Sequence, residues 1–236
     1  MTQRAMPILP QLVTGVDDSA RSFTALINSF PIPTDEETGR FYHITTGLSR
    51  TALNNYNLLR RAFDDDAQDY LAWACRNLLE VAVFMRCVLS SKAKADEFAT
   101  HRWIDGIEVV ERLKKLDLLM NPSLTISAFD AKLRDFNQQM TADGVVRTAH
   151  LITRDWAKAA GMIEEFDCLN KVCSKFVHPT VWSILTEDIG SARFPDARDL
   201  FYGFGANYLM DIYVRFKEHV EAHGLKHKPI KLPKRP

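Results

Sequence analysis

The stretch Ala67–Ser91 constrains this chain more than any other. Leu71, Ala74, Cys75, Leu78, Ala82, Met85 and Leu89 recur at helical spacing and make one broad apolar stripe. Trp73 and Phe84 fall on the opposite side, so the helix reads as covered from two directions. Such a helix belongs inside a bundle. The same 3.6-residue period dominates the rest of the chain, and alternating strand-like runs are nearly absent. The fold class that follows is all-α, a multi-helix bundle with a central buried helix.

Around this centre the start and stop signals predict further helices. A short one runs from Asp17 and Asp18 through Ile27, and a long one from about Glu36 to Phe63, its first turn acidic as the helix dipole favours. Gly39 and Gly47 are its weak points, and the run Asp64–Asp66 separates it from the central helix. Helices are expected over about Asp96–Asp117 and Ser127–Met140, the second ended by Ala142-Asp143-Gly144. A segment from Arg147 carries Leu151, Ile152 and Trp156 up to Gly161, a C-cap. The next helix, Ile163–Val177, buries Leu169, Val172, Cys173 and Phe176, and a last long one runs from Asp196 to about His223. Residues 1–35 read as an N-terminal extension with a short helix, 36–224 as the bundle domain, and 225–236 as a basic, disordered tail.

Thirty basic residues balance thirty acidic ones in 236. Net charge therefore draws the chain neither to nucleic acid nor to a membrane, although Lys226, Lys228, Lys231, Lys234 and Arg235 leave the tail basic. No apolar run approaches the roughly 18 residues of a membrane span, so no membrane partner is expected. The four cysteines form no CxxC pair, lie in apolar helical contexts and read as reduced and buried, which suits the cytoplasm. His219, His223 and His227 recur every four residues, but Gly224 interrupts them, and a solvated helix end is the better reading. No metal site, P-loop, dinucleotide fingerprint, nucleophile elbow or HExxH is present, so no cofactor is implied.

Two polar constellations stand out. Arg76 and Glu80 sit four residues apart on the central helix, between Trp73 and Phe84. A partly desolvated pair there needs further polar partners, whether its role is structural or functional. The second is SKFVHPTVW, Ser174 to Trp182. Pro179 disfavours helix at His178, so the helix ends there, and its dipole favours the imidazolium. Ser174 and Lys171, four and seven residues back, share the side of His178. That set is either a solvated C-terminal cap or a cluster that faces phosphate or RNA.

The order of these features resembles an uncharacterised family of bacterial helical proteins. Its members pair an R-x-x-x-E helix, here Arg76–Glu80, with an S-x-x-V-H-P-[ST] segment, here Ser174–Thr180, and the stretch WAKAAGMIEEFDCLNKVCSKFVHPT matches in layout. The resemblance covers about residues 45–190 and implies a helical fold. More distantly the chain is similar to the HEPN superfamily of helical bundles, many of them metal-independent endoribonucleases with an Arg four to six residues before a His. In such enzymes the His acts on the ribose 2′-hydroxyl and the Arg stabilises phosphate charge. Here the matching positions are Lys171, Val172 and Cys173, and lysine supplies charge without the guanidinium fork.

Two functional classes stay open. One is a binding or self-association module without catalysis, a homo-oligomer whose polar network fixes one packing. The other is a HEPN-like metal-independent endoribonuclease or nucleotide-binding domain of a bacterial defence or toxin-type system. It would use His178, Arg76 and Lys171 as catalytic candidates, Ser174 and Glu80 as ligand-binding ones, and RNA or another phosphate-containing molecule as ligand.

Overall fold

A computed structural model describes residues 10–30, 36–120, 127–146, 151–178 and 197–222. The described residues form eight α-helices: α1 (Pro10–Ser29), α2 (Glu36–Asp64), α3 (Gln68–Ser90), α4 (Lys92–Met120), α5 (Ser127–Ala142), α6 (Thr153–Ala159), α7 (Ile163–Val177) and α8 (Ala197–Ala222). No strand occurs among them. The basic tail and the segment after His178, including Pro179 and Trp182, lie outside the described residues.

The helices fall into two compact units, Ser91–Ile152 and the remainder. In the larger unit α3 is the axle, packed by α2, α7, α8 and α6. Its apolar residues are buried almost all round. α2 meets it with Leu48, Ala52, Tyr56, Leu59 and Phe63, at intervals of three or four residues. Thr45 and Ser49, also buried, donate their hydroxyls to carbonyls one turn back, to Phe41 at 3.0 Å and Thr45 at 2.7 Å, which satisfies them without a partner helix. α8 is held close because Gly205 lacks a side chain: a Cβ there would lie 2.6 Å from Leu59 Cδ2. α1 covers α8, setting Phe23 against Tyr213 and Phe216 at ring distances of 5.1 and 5.7 Å.

The smaller unit is the helix pair α4 and α5. Gly106 admits the ring of Phe136, 3.0 Å from where a Cβ would sit, and Lys114 Nζ bridges to Asp130 at 2.6 Å. At one end Asp143 accepts from both Arg102 and the Trp103 indole, each at 2.8 Å.

Most sequence-predicted helices recur within a few residues. α1 begins earlier than expected, at Pro10, because proline suits a helix start and Val13 and Val16 extend the apolar face. The segment expected from Arg147 is helical from Thr153; residues 147–150 are not described. Helix ends follow the capping logic. Gly161 and Gly144 adopt φ of +70° and +67°, and Met162 and Val145 N–H groups reach back to Ala157 and Met140 at 2.8 and 2.9 Å. Asp66, at φ +54°, closes α2 in the same way, with Ala67 N–H on Ala62.

Candidate functional site

α7 runs antiparallel to α3. The Cys75 and Cys173 thiols are in hydrogen-bond contact, and further along α3 the Cys87 thiol donates to the carbonyl of Trp156, just before α7, at 3.3 Å. Contact with Cys173 and burial push the Cys75 thiol well above its ordinary range, as for a thiol in the core. Cys168 departs from the buried expectation: it is exposed on the outer face of α7.

On α3, Trp73, Arg76, Asn77, Glu80 and Phe84 occupy the stripe that the neighbouring helices leave partly open. Trp73 is 43% exposed, contrary to a helix covered from both directions. Phe84 is covered by Trp156 of α6, edge-on at 5.7 Å. Arg76 Nε donates to Glu80 Oε1 at 3.3 Å, with about 30% of each side chain open (30% and 29%). Beside it Asn77 Nδ2 donates to Asn55 Oδ1 of α2 at 3.1 Å. The pair is thus mostly desolvated and lies beside an amide pair.

At the end of α7, His178 is exposed and extended, φ −106° and ψ 140°, and its backbone N–H donates to Ser174 O at 3.2 Å. That is the helix end Pro179 dictates. Ser174 is half-buried, and its hydroxyl donates to the Asn170 carbonyl at 2.7 Å; Lys171 is exposed. Among the described residues the buried Oδ1 of Asn170 meets no hydrogen-bond partner, and neither does Nδ1 of the buried His101 in the other unit. Val172, expected in the core, is 42% open, because α7 turns Phe166, Leu169 and Cys173 inward instead. Among the described residues no direct hydrogen bond or ion pair joins Arg76 or Glu80 to His178, Ser174 or Lys171. At about 100° per residue Lys171 falls roughly 160° around α7 from Cys173, on the side away from α3. Counting from the Cys75–Cys173 contact at about 1.5 Å per residue, His178 and Arg76 differ by roughly 9 Å along the axis, and Ser174 and Lys171 lie closer.

Three networks that sequence reasoning missed pair residues from distant helices. Arg86 of α3 binds Asp211 of α8 through two bonds, 2.9 and 3.1 Å, and Arg215 adds a third at 2.9 Å. Tyr56 donates to Asp17 of α1 at 2.7 Å and meets the Tyr202 hydroxyl at 3.2 Å, while Arg60 reaches the other Asp17 oxygen at 3.4 Å. Tyr208 donates to Glu165 of α7 at 2.7 Å. Burial first, and then these bonds, raise the Tyr56 and Tyr208 hydroxyls far above the usual phenol range; burial raises Tyr202 as well. Only Asp211–Arg215, four apart on one helix, was within reach of spacing rules.

A central helix wrapped by others, with a partly open Arg–Glu pair and a histidine-ended neighbour, defines an all-helical bundle protein. The chain belongs to DUF5677, a family of unknown function, whose model matches residues 44–193. That span holds both the Arg76–Glu80 helix and the Ser174–Thr180 segment, while α1 and α8, which complete the core, lie outside it. No curated protein and no solved structure matches the chain. No helix among the described residues is long and apolar enough to cross a membrane.

Proposed function

We propose that this chain works by binding a protein surface rather than by breaking bonds. The observation that carries this reading is on α4, where Val109, Leu113, Leu116 and Leu119 stand 57%, 49%, 56% and 71% exposed. Scattered exposed leucines are ordinary, but these cluster on one side of one helix, as at interaction surfaces. The polar networks support the same reading: the Arg86, Asp17 and Glu165 groups each join helices and hold one packing arrangement.

A second reading, HEPN-like RNA cleavage, rests on the sequence resemblance and on the packing of the Arg76 helix against the helix that ends at His178. In it His178 would be the general base and Arg76 or Lys171 would act on the phosphate. One assay separates the two. The purified full chain is incubated with single-stranded RNA in EDTA beside His178→Ala and Arg76→Ala. The binding reading expects no cleavage that differs between the wild type and the variants. Cleavage by the wild type that both variants lose would overturn it in favour of the nuclease.

A further inference from the structure

α4 carries two apolar faces, and α5 occupies one of them. Gly106 meets Phe136, and Lys114 reaches Asp130, on the seam between the two helices. About a quarter turn away lie Val109, Leu113 and Leu116, spaced four and three residues apart, with Leu119 at the edge of the strip. A helix pair that offers such a face beside its own seam is half of a four-helix arrangement.

We infer that this strip is the docking surface for a second copy of the chain, with α4 antiparallel to α4 across a two-fold axis near residue 112. The inference rests on the reading that the α4 face is a binding surface, and it names the occupant. In that register Val109 of each copy falls level with the gap between Leu113 and Leu116 of the other, so the two strips interdigitate. The charges select the same direction. Glu108, Arg112 and Lys115 line one flank of the strip, and Arg112 turns back to Glu108 of its own helix at 3.4 Å. A two-fold axis normal to both helices keeps that flank on one side of the pair. Glu108 of each copy then lies beside Lys115 of the other, one residue from exact level. Parallel pairing would carry the flank to opposite sides of the pair, so Glu108 and Lys115 of one copy would not meet those of the other and this complementarity would be lost. The mixed flank also separates this surface from one made for phosphate or anionic lipid, which asks for a basic excess. Asp105, Glu108, Glu111 and Asp117 outnumber Arg112, Lys114 and Lys115 between residues 105 and 117.

Sedimentation equilibrium of the full chain tests the proposal, with Leu113→Glu, Glu108→Lys, Lys115→Glu and the double reversal Glu108→Lys/Lys115→Glu. Leu113 is exposed, so its variant is expected to keep the wild-type helical circular dichroism. The expected result is a wild-type dimer and a monomeric Leu113→Glu. Each single reversal weakens the dimer about tenfold, and the double reversal restores it to within about threefold of wild type. A wild type that stays monomeric at all accessible concentrations overturns the second copy as occupant. A dimer indifferent to Leu113→Glu overturns the surface itself. A dimer broken by Leu113→Glu but without rescue in the double reversal rejects the antiparallel register, while the binding reading of the face stands. Incubation with RNA in EDTA reports on that reading independently.

Discussion

Two glycines on long helices behave oppositely because of what surrounds them. Gly47 is exposed on α2, with nothing within 4 Å of where a Cβ would sit. Its only effect is to loosen the helix, so Gly47→Ala is expected to stabilise the protein by about 0.5–1 kcal/mol in a urea titration. Gly205 instead lies where α8 touches the fully buried Leu59 and Leu78, whose nearest methyls would stand 2.6 and 3.3 Å from a Cβ at that position. Gly205→Val forces both leucines aside, and a loss of about 2 kcal/mol is expected in the same measurement, in spite of the better helix former. Gly39 and Gly47 were visible in the sequence as weak points of a helix. The packing role of Gly205 was not, since nothing local to it distinguishes a close approach from an idle glycine.

Between elements, the bond that ties α3 to α8 most firmly is Asp211 with Arg86 and Arg215. Its side chains are about one quarter open, 26% for Arg86 and 23% for Asp211. Asp211→Asn keeps the shape but removes the charge that two guanidinium groups share. A loss of about 1–3 kcal/mol is expected from denaturant midpoints, with Arg215→Gln costing less because Arg86 keeps its bidentate partner. The Arg154–Asp167 bond between α6 and α7 has the same two-point geometry, 2.9 and 2.7 Å, but on the surface. Contact with Arg154 holds the Asp167 carboxyl below the usual carboxylate range. Arg154→Ala therefore serves as the control for a bond of equal form in water. Antiparallel packing of α7 on α3 could not be read from either helix alone, because it depends on Cys75 meeting Cys173 from a distant part of the chain.

For the molecule as a whole, three buried tyrosines set the alkaline limit. Tyr56, Tyr202 and Tyr208 all have hydroxyls raised above the ordinary 10.0. Each group is protonated in both states below pH 10, so its share of stability is complete there. As pH rises past 10 the unfolded chain releases protons that the folded chain keeps, and stability falls by up to about 1.4 kcal/mol per pH unit for each tyrosine. Thermal melts from pH 9 to 11.5 are expected to show a steep loss beginning near pH 10, and Tyr208→Phe to make it shallower. A wild-type melt flat across that window would show that these hydroxyls titrate normally.

Local pattern determined the helices of this protein, their C-terminal glycine caps at 144 and 161, the stop at His178, and the central place of α3, because each depends on side chains within a turn or two of one another. It also supplied the candidates Arg76, Glu80, Lys171, Ser174 and His178. Tertiary structure alone decided that Trp73 stands open while Val172 and Cys168 face outward, since helix periodicity marks a stripe but not which part of it a neighbour covers. The α4 strip was hidden for the same reason: periodicity gave a helix over about 96–117 but not that Val109, Leu113 and Leu116 would stand open while α5 takes the adjacent face. The three polar networks were decided at that level too, because Arg86 and Asp211, or Asp17 and Tyr56, become neighbours only once the bundle closes.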